Sequence, residues 1–138
     1  MSRLLGFLLA SGGSTCALVN ERNGAVVASV VEAAVDSRSR RRGLLGRDGL
    51  PERHALLLAP CSAIHTCFMR FPIDVLFVTR DGRVLKTVER LGAWRIALSP
   101  RAFATIELPA GSLGHGELVP GDRVAIRPAF VRETSCPS

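Results

Sequence analysis

Short apolar runs, each closed by a turn signal, recur along most of this chain, and they constrain its fold more than any other feature. Ala55 to Ala59, Ile64 to Met69, Ile73 to Thr79 and Val84 to Leu91 are β-prone, and Pro60, Pro72 and Asp81-Gly82 stand between them. Runs of that length, bounded by residues that suit turn geometry, build sheets. Two further candidates, Ala104 to Leu108 and Arg123 to Arg127, flank a glycine-studded connection from Gly111 to Gly116 and a Pro120-Gly121-Asp122 turn. Nearer the start, Cys16 to Asn20 and Ala25 to Val35 enclose Arg22-Asn23-Gly24. Asn-Gly between apolar runs predicts a β-hairpin, because both residues tolerate positive φ. Asp36 and Ser37 offer capping oxygens ahead of Arg38 to Arg47, where one or two helical turns are expected. The spacing predicts a mainly β fold (α+β minor), a compact single-domain β-barrel or sandwich-like body with one or two short helices. Its expected limits are residues 16–127, between an apolar segment over 1–15 and a tail over 128–138.

A chain of 138 residues, 47% of them apolar, can bury a core without metals or disulfides to hold it. The net charge of +6 is almost all arginine, Lys86 being the sole lysine, and it is spread along the chain. Such a balance attracts any polyanion and identifies no partner. With no tyrosine, one tryptophan and six phenylalanines there is little material for a base-stacking platform. No helix-turn-helix, zinc-finger or RNA-binding aromatic pattern accompanies the arginines. Nucleic acid is therefore not the expected partner, although Arg38 to Arg47 could still engage a phosphate backbone. Gly43, Gly46 and Gly49 lack the residues of a phosphate-binding loop. Cys16, Cys61, Cys67 and Cys136 are too sparse for a disulfide scaffold and are expected to be reduced. Met1 to Ala10 imitates a signal peptide without a clear cleavage site and is too short to span a bilayer. The expected location is cytoplasmic, with export through an atypical N-terminal signal as the alternative.

The stretch richest in chemistry runs from Pro60 to Asp74. If Cys61 to Met69 is extended, Cys61, His65, Cys67 and Met69 share one face, while Ile64, Thr66 and Phe68 take the other. Thiolates and imidazole suit zinc or copper(I), and a thioether is tolerated by copper(I), so a Zn or Cu site is one alternative. The spacing matches no paired Cys-x-x-Cys motif, and buried cysteine and methionine also serve as plain core residues. Cys67 with His65 and Asp74 could form a thiol nucleophile and its base. Yet residues two apart on a strand lie ~6.6 Å apart, and no oxyanion loop is visible. A Cys61–Cys67 disulfide would need α-carbons within ~7 Å, whereas extended backbone separates them by about 20 Å. Asp74 and Glu107 interrupt otherwise apolar strands, so each needs a partner, for which His65, Arg70 or Arg95 are candidates. The expected function is a non-enzymatic binding or accessory module without a cofactor, engaging a protein partner or small ligand. Its candidate binding residues are His65, Thr66, Asp74, Glu107, Arg40 and Arg47.

Several segments together resemble the bacterial and archaeal family catalogued only as domain of unknown function 192. They are Arg40-x-x-Gly43-Leu44-Leu45-x-Arg47, the apolar strand Ala55 to Leu58, Pro72-Ile73-Asp74-Val75-Leu76-Phe77 with its Asp81-Gly82 turn, Ile106-Glu107-Leu108-Pro109-Ala110-Gly111, and Gly121-Asp122. The resemblance covers residues 25 to 127. Where many members carry Trp-Met-Lys-Asn-Thr, this chain has His65-Thr66-Cys67-Phe68-Met69, and its Cys61-x-x-x-His65-Thr66 arrangement resembles a subgroup variant. The resemblance implies a compact, mostly β domain with short helical insertions, and it brings no reaction, cofactor or catalytic residue. It also implies export for many relatives.

Overall fold

A computed structural model of the chain describes residues 16–36 and 47–128. In chain order the elements are β1 (Cys16–Asn20), β2 (Val26–Ala28), β3 (Val30–Ala34), β4 (His54–Leu58), β5 (Ala63–His65), β6 (Ile73–Val78), β7 (Val84–Leu91), β8 (Ile96–Leu98), β9 (Ala104–Pro109), α1 (Ser112–Gly116) and β10 (Val124–Pro128). They form a three-stranded sheet in the order β10-β1-β2, a five-stranded sheet β3-β4-β9-β6-β7, and a ribbon β5-β8. All pairings are antiparallel except β3 with β4. The mostly β architecture agrees with the expectation. Among the described residues the sheets are layered and open, and none closes into a barrel.

Strand alternation places two cores on opposite faces of the five-stranded sheet. Leu57, Leu76 and Ile106 meet Leu18, Val27 and Ile126 of the three-stranded sheet in the first core. Leu56, Val75 and Phe77 face the other way, into a second core with Ile64 and Ala97 of the ribbon. The sheet is therefore covered on both sides, and every residue of β6 is buried. This explains why Ile73-Asp74-Val75-Leu76-Phe77-Val78 is nearly continuous in apolar residues instead of alternating.

The expected hairpin forms between β1 and β2. Gly24 takes φ +73° and donates its N–H to Asn20 O (2.8 Å), while Asn23 Oδ1 accepts the Ala25 N–H (2.9 Å). Its second arm is shorter than the apolar run predicted. The chain breaks at Ser29, whose N–H turns to Arg53 O (2.7 Å), and β3 then joins the other sheet. A second correction falls on the strand expected from Ile64 to Met69. Pleated backbone stops at His65, because Thr66 O accepts the Met69 N–H (3.1 Å) and Phe68 takes φ +67°. Cys61, His65, Cys67 and Met69 therefore do not lie along one extended strand. Two elements were not anticipated, β8 and α1, the latter inside the glycine-studded connection. Gly116 closes α1 against β2, where an added Cβ would come 2.7 Å from Val27 Cγ2. The helical turns expected over Arg38 to Arg47 lie outside the described residues except for Arg47, as do the segment over 1–15 and nearly all of the tail.

Candidate functional site

Strand register brings one polar group into the second core. Glu32 on β3 is paired with Leu56 on β4, Leu56 with Glu107 on β9, and Glu107 with Val75 on β6. Paired residues project to the same side, so the two carboxylates flank Leu56 on one face, with α-carbons ~10 Å apart. His54, two residues before Leu56, projects to that side as well. Arg47 Nη2 lies 3.2 Å from Glu32 Oε1, and its charge also reaches Glu107. Glu107 is buried, and its Oε1 finds no hydrogen-bond partner among the described residues. Burial pushes the Glu107 carboxyl up to about 7, with Arg47 pulling weakly in the opposite direction. His54 Nδ1 is likewise buried without a hydrogen bond, its nearest acid being Glu32 Oε2 at 4.0 Å. Buried polar atoms in a native fold are nearly always satisfied, so two orphans on one face single this place out as a candidate site. A carboxyl poised near neutrality can donate from one form and accept in the other.

The remaining expected site residues are used elsewhere. Asp74 is one residue out of phase with Val75 and so lies on the opposite face from Glu107. Its Oδ1 accepts the Arg90 N–H (2.9 Å), and its Oδ2 accepts those of Gly111 and Leu113 (both 3.0 Å). It is a brace for the β9–α1 connection, and its partners are backbone amides instead of the predicted His65 or arginine. Arg70 pairs with Asp48 at 2.6 Å. His65 is exposed at the end of β5, with Nδ1 turned to the Cys67 backbone N–H (3.3 Å). Cys61 and Cys67 are free thiols, Cys61 Sγ facing Ala63 O (3.2 Å), and Met69 is packed in the second core. Among the described residues no three His, Cys, Asp or Glu side chains group so as to hold a metal ion. Arg40 lies outside the described residues. Of the six candidates, Glu107 and Arg47 come together. Glu32 and His54 were missed, and their only signal was a lone polar residue inside or beside an apolar run, Val30-Val31-Glu32-Ala33-Ala34 and His54-Ala55-Leu56.

Thr66 has a structural task. Its backbone N–H donates to Arg95 O (2.8 Å), and its backbone O accepts from both Met69 and Trp94 (3.1 Å each). Its hydroxyl donates to Gly92 O (2.6 Å) and accepts the Arg95 N–H (2.9 Å). A single buried threonine thereby ties the turn after β5 to the turn before β8. Phe68 and Trp94, both with positive φ, face outward from these turns and meet edge-to-face with centroids 4.6 Å apart.

The sequence profile of the uncharacterised family DUF192, "Uncharacterized ACR", matches residues 18–126. This chain belongs to DUF192. No curated protein matches it. Two solved structures share the DUF192 fold seen here. A protein from Sinorhizobium meliloti, described as a candidate transcription regulator, aligns with TM-score 0.71 at 24% identity, over 83% of this chain and 93% of that one. A protein of unknown function from Novosphingobium aromaticivorans aligns with TM-score 0.68 at 20% identity, over 79% and 81%. At these identities the likeness establishes the fold alone. No helix among the described residues is long and apolar enough to cross a membrane.

Proposed function

We propose that this DUF192 protein is a non-enzymatic binding module that takes a small, uncharged, polar ligand, bearing hydroxyl or carbonyl groups, at Glu107. The observation that carries this reading is the buried Glu107 carboxyl with Oε1 unpartnered. Leaving such an oxygen dry and unpaired costs about 1–3 kcal/mol, which an apolar side chain would avoid. Arg47 brings donors only, Glu32 brings acceptors, and Glu107 does either around neutrality, a set near charge balance that favours a neutral ligand. The Sinorhizobium protein's description as a regulator supports no second reading, because its likeness is one of fold.

The test is a stability and binding comparison of wild type with Glu107→Leu. Without ligand, the variant should melt several degrees higher, since a group kept for binding is held at the expense of stability. In ligand-observed NMR against sugars, polyols and amides, at least one class should contact wild type and not the variant. A variant that is less stable, together with a panel that never distinguishes the two proteins, would remove the reading.

A further inference from the structure

Seven large apolar side chains are exposed among the described residues, and four of them stand on or beside the ribbon: Phe68 (71%), Trp94 (62%), Ile96 (71%) and Leu98 (47%). They include both exposed aromatic residues, so the exposure is concentrated in place and in kind. Scattered exposed apolar residues need no explanation, but a contiguous group does. Ile96 and Leu98 flank Ala97, which is buried in the second core, so strand alternation turns the two larger side chains outward together. In a strand whose inner face has a core to fill, the ordinary outward residue is polar, and here it is not.

The backbone holds this display in place. Phe68 and Trp94 take φ +67° and +62°, a region costly for bulky residues, and the Thr66 hydrogen bonds lock both turns. Backbone strain persists where surrounding contacts over-determine it, and what it achieves here is the outward pairing of the two rings.

The charge around the patch has one dominant sign. Residues 61–71 and 92–103, which carry the ribbon and its turns, contain Arg70, Arg95 and Arg101 and no aspartate or glutamate. Lys86 joins them from β7, its Nζ donating to Leu98 O (3.0 Å). Asp48 pairs with Arg70 and offsets part of this charge. A second copy of the chain would bring basic rim against basic rim in a two-fold contact, which like-charge repulsion opposes. The side chains project outward from the surface, Phe68, Trp94 and Ile96 with most of their area free and Leu98 with nearly half, where a groove for a peptide would be concave. Projecting aromatic and aliphatic residues inside a basic rim match the interface of an anionic bilayer, with the rings at the headgroup level and the arginines beside lipid phosphates.

We propose that the β5–β8 ribbon is a peripheral membrane-docking surface, in which Phe68, Trp94, Ile96 and Leu98 enter the interface of an anionic lipid bilayer and Arg95, Arg101 and Lys86 contact its headgroups. The site is separate from Glu107 and does not depend on the ligand reading.

Trp94 is the only tryptophan and there is no tyrosine, so intrinsic fluorescence reports on this surface alone. With vesicles of phosphatidylcholine containing phosphatidylglycerol, Trp94 emission should shift to the blue and the protein should sediment with the lipid. Pure phosphatidylcholine should bind at least about fivefold more weakly, and added salt should weaken binding to the anionic vesicles. Ile96→Ser should weaken binding at least about tenfold. Phe68→Asn should act in the same direction, asparagine being chosen because it tolerates positive φ. Arg95→Gln should cost about fivefold. Unchanged thermal melts would confirm that these exposed substitutions leave the fold intact. The proposal is overturned if Trp94 emission is indifferent to anionic vesicles, which would leave the surface to an acidic protein partner. It is equally overturned if neutral vesicles bind as well as anionic ones, or if the Phe68→Asn, Ile96→Ser double variant binds like wild type.

Discussion

Glu107 and Asp74 look alike in the sequence, each a single acid inside an apolar strand, and they end in opposite conditions. Three backbone amides satisfy Asp74, whereas Glu107 is buried with Oε1 unpartnered among the described residues, and burial moves its titration from 4.5 up to about 7. Because the folded value lies above the unfolded one, the folded protein binds more protons between those limits. Stability from this group is therefore complete below about pH 4.5 and is lost as pH rises through about 7, on the order of 3 kcal/mol in total. Glu107→Gln removes the titration, so urea midpoints of wild type should fall from pH 5 to pH 8 relative to this variant. Parallel pH profiles for the two proteins would show that Glu107 keeps an ordinary carboxylate value. Asp81 and Asp122 act in the opposite sense. Asp81 is held low chiefly by the Thr79 hydroxyl, and Asp122 chiefly by the Arg22 hydrogen bond. Their contributions are present above pH 3.8 and are lost as pH falls below it.

Among the elements, strands bounded by strong turn chemistry were legible. Val84 to Leu91 was predicted end to end as β7, between Asp81-Gly82 and Gly92, and the Asn-Gly hairpin formed where its residues stand. The ribbon was not legible. β8 spans only Ile96–Leu98, and its apolar outward face breaks the inside-outside alternation by which a half-buried strand is recognised. The turn that cuts β5 short closes through Thr66 O and the Met69 N–H, but it is anchored by Thr66 partners 26 to 29 residues away, beyond the reach of any local pattern. Thr66→Val keeps shape and loses the hydroxyl that bridges Gly92 and Arg95. It should cost about 0.5–1.5 kcal/mol, the net worth of the part-buried hydrogen bonds lost. The loss should be local, with faster hydrogen exchange at the Met69 and Trp94 amides and little change in β1, β2 and β10. Exchange that accelerates uniformly would mean that the ribbon and the sheets open as one unit.

In the molecule as a whole, the five-stranded sheet separates two cores, and its central strands serve both. Leu76 packs in the first core and Phe77 in the second, both fully buried. Leu76→Ala should cost about 2–5 kcal/mol, read as a fall in the urea midpoint with the m-value unchanged. A far smaller loss would mean that the first core relaxes around the gap. The three-stranded sheet is tied in by a polar network as well as by that core. Asn20 Nδ2 donates to Gly116 O (2.9 Å) and Asp122 Oδ2 (3.2 Å), and Arg22 Nε donates to Asp122 Oδ1 (2.8 Å). The residue order alone determined the class of fold, because turn residues and short apolar runs act within a few positions of themselves. It also marked Glu107 and Arg47 as notable, since a lone acid in an apolar strand stands out. Long-range register decided which acid would be satisfied and which left unpaired. It set Glu32 and His54 on the face of Glu107, and turned Ile96 and Leu98 to solvent. Those outcomes depend on pairings between strands far apart in the chain, and only the folded sheets specify them.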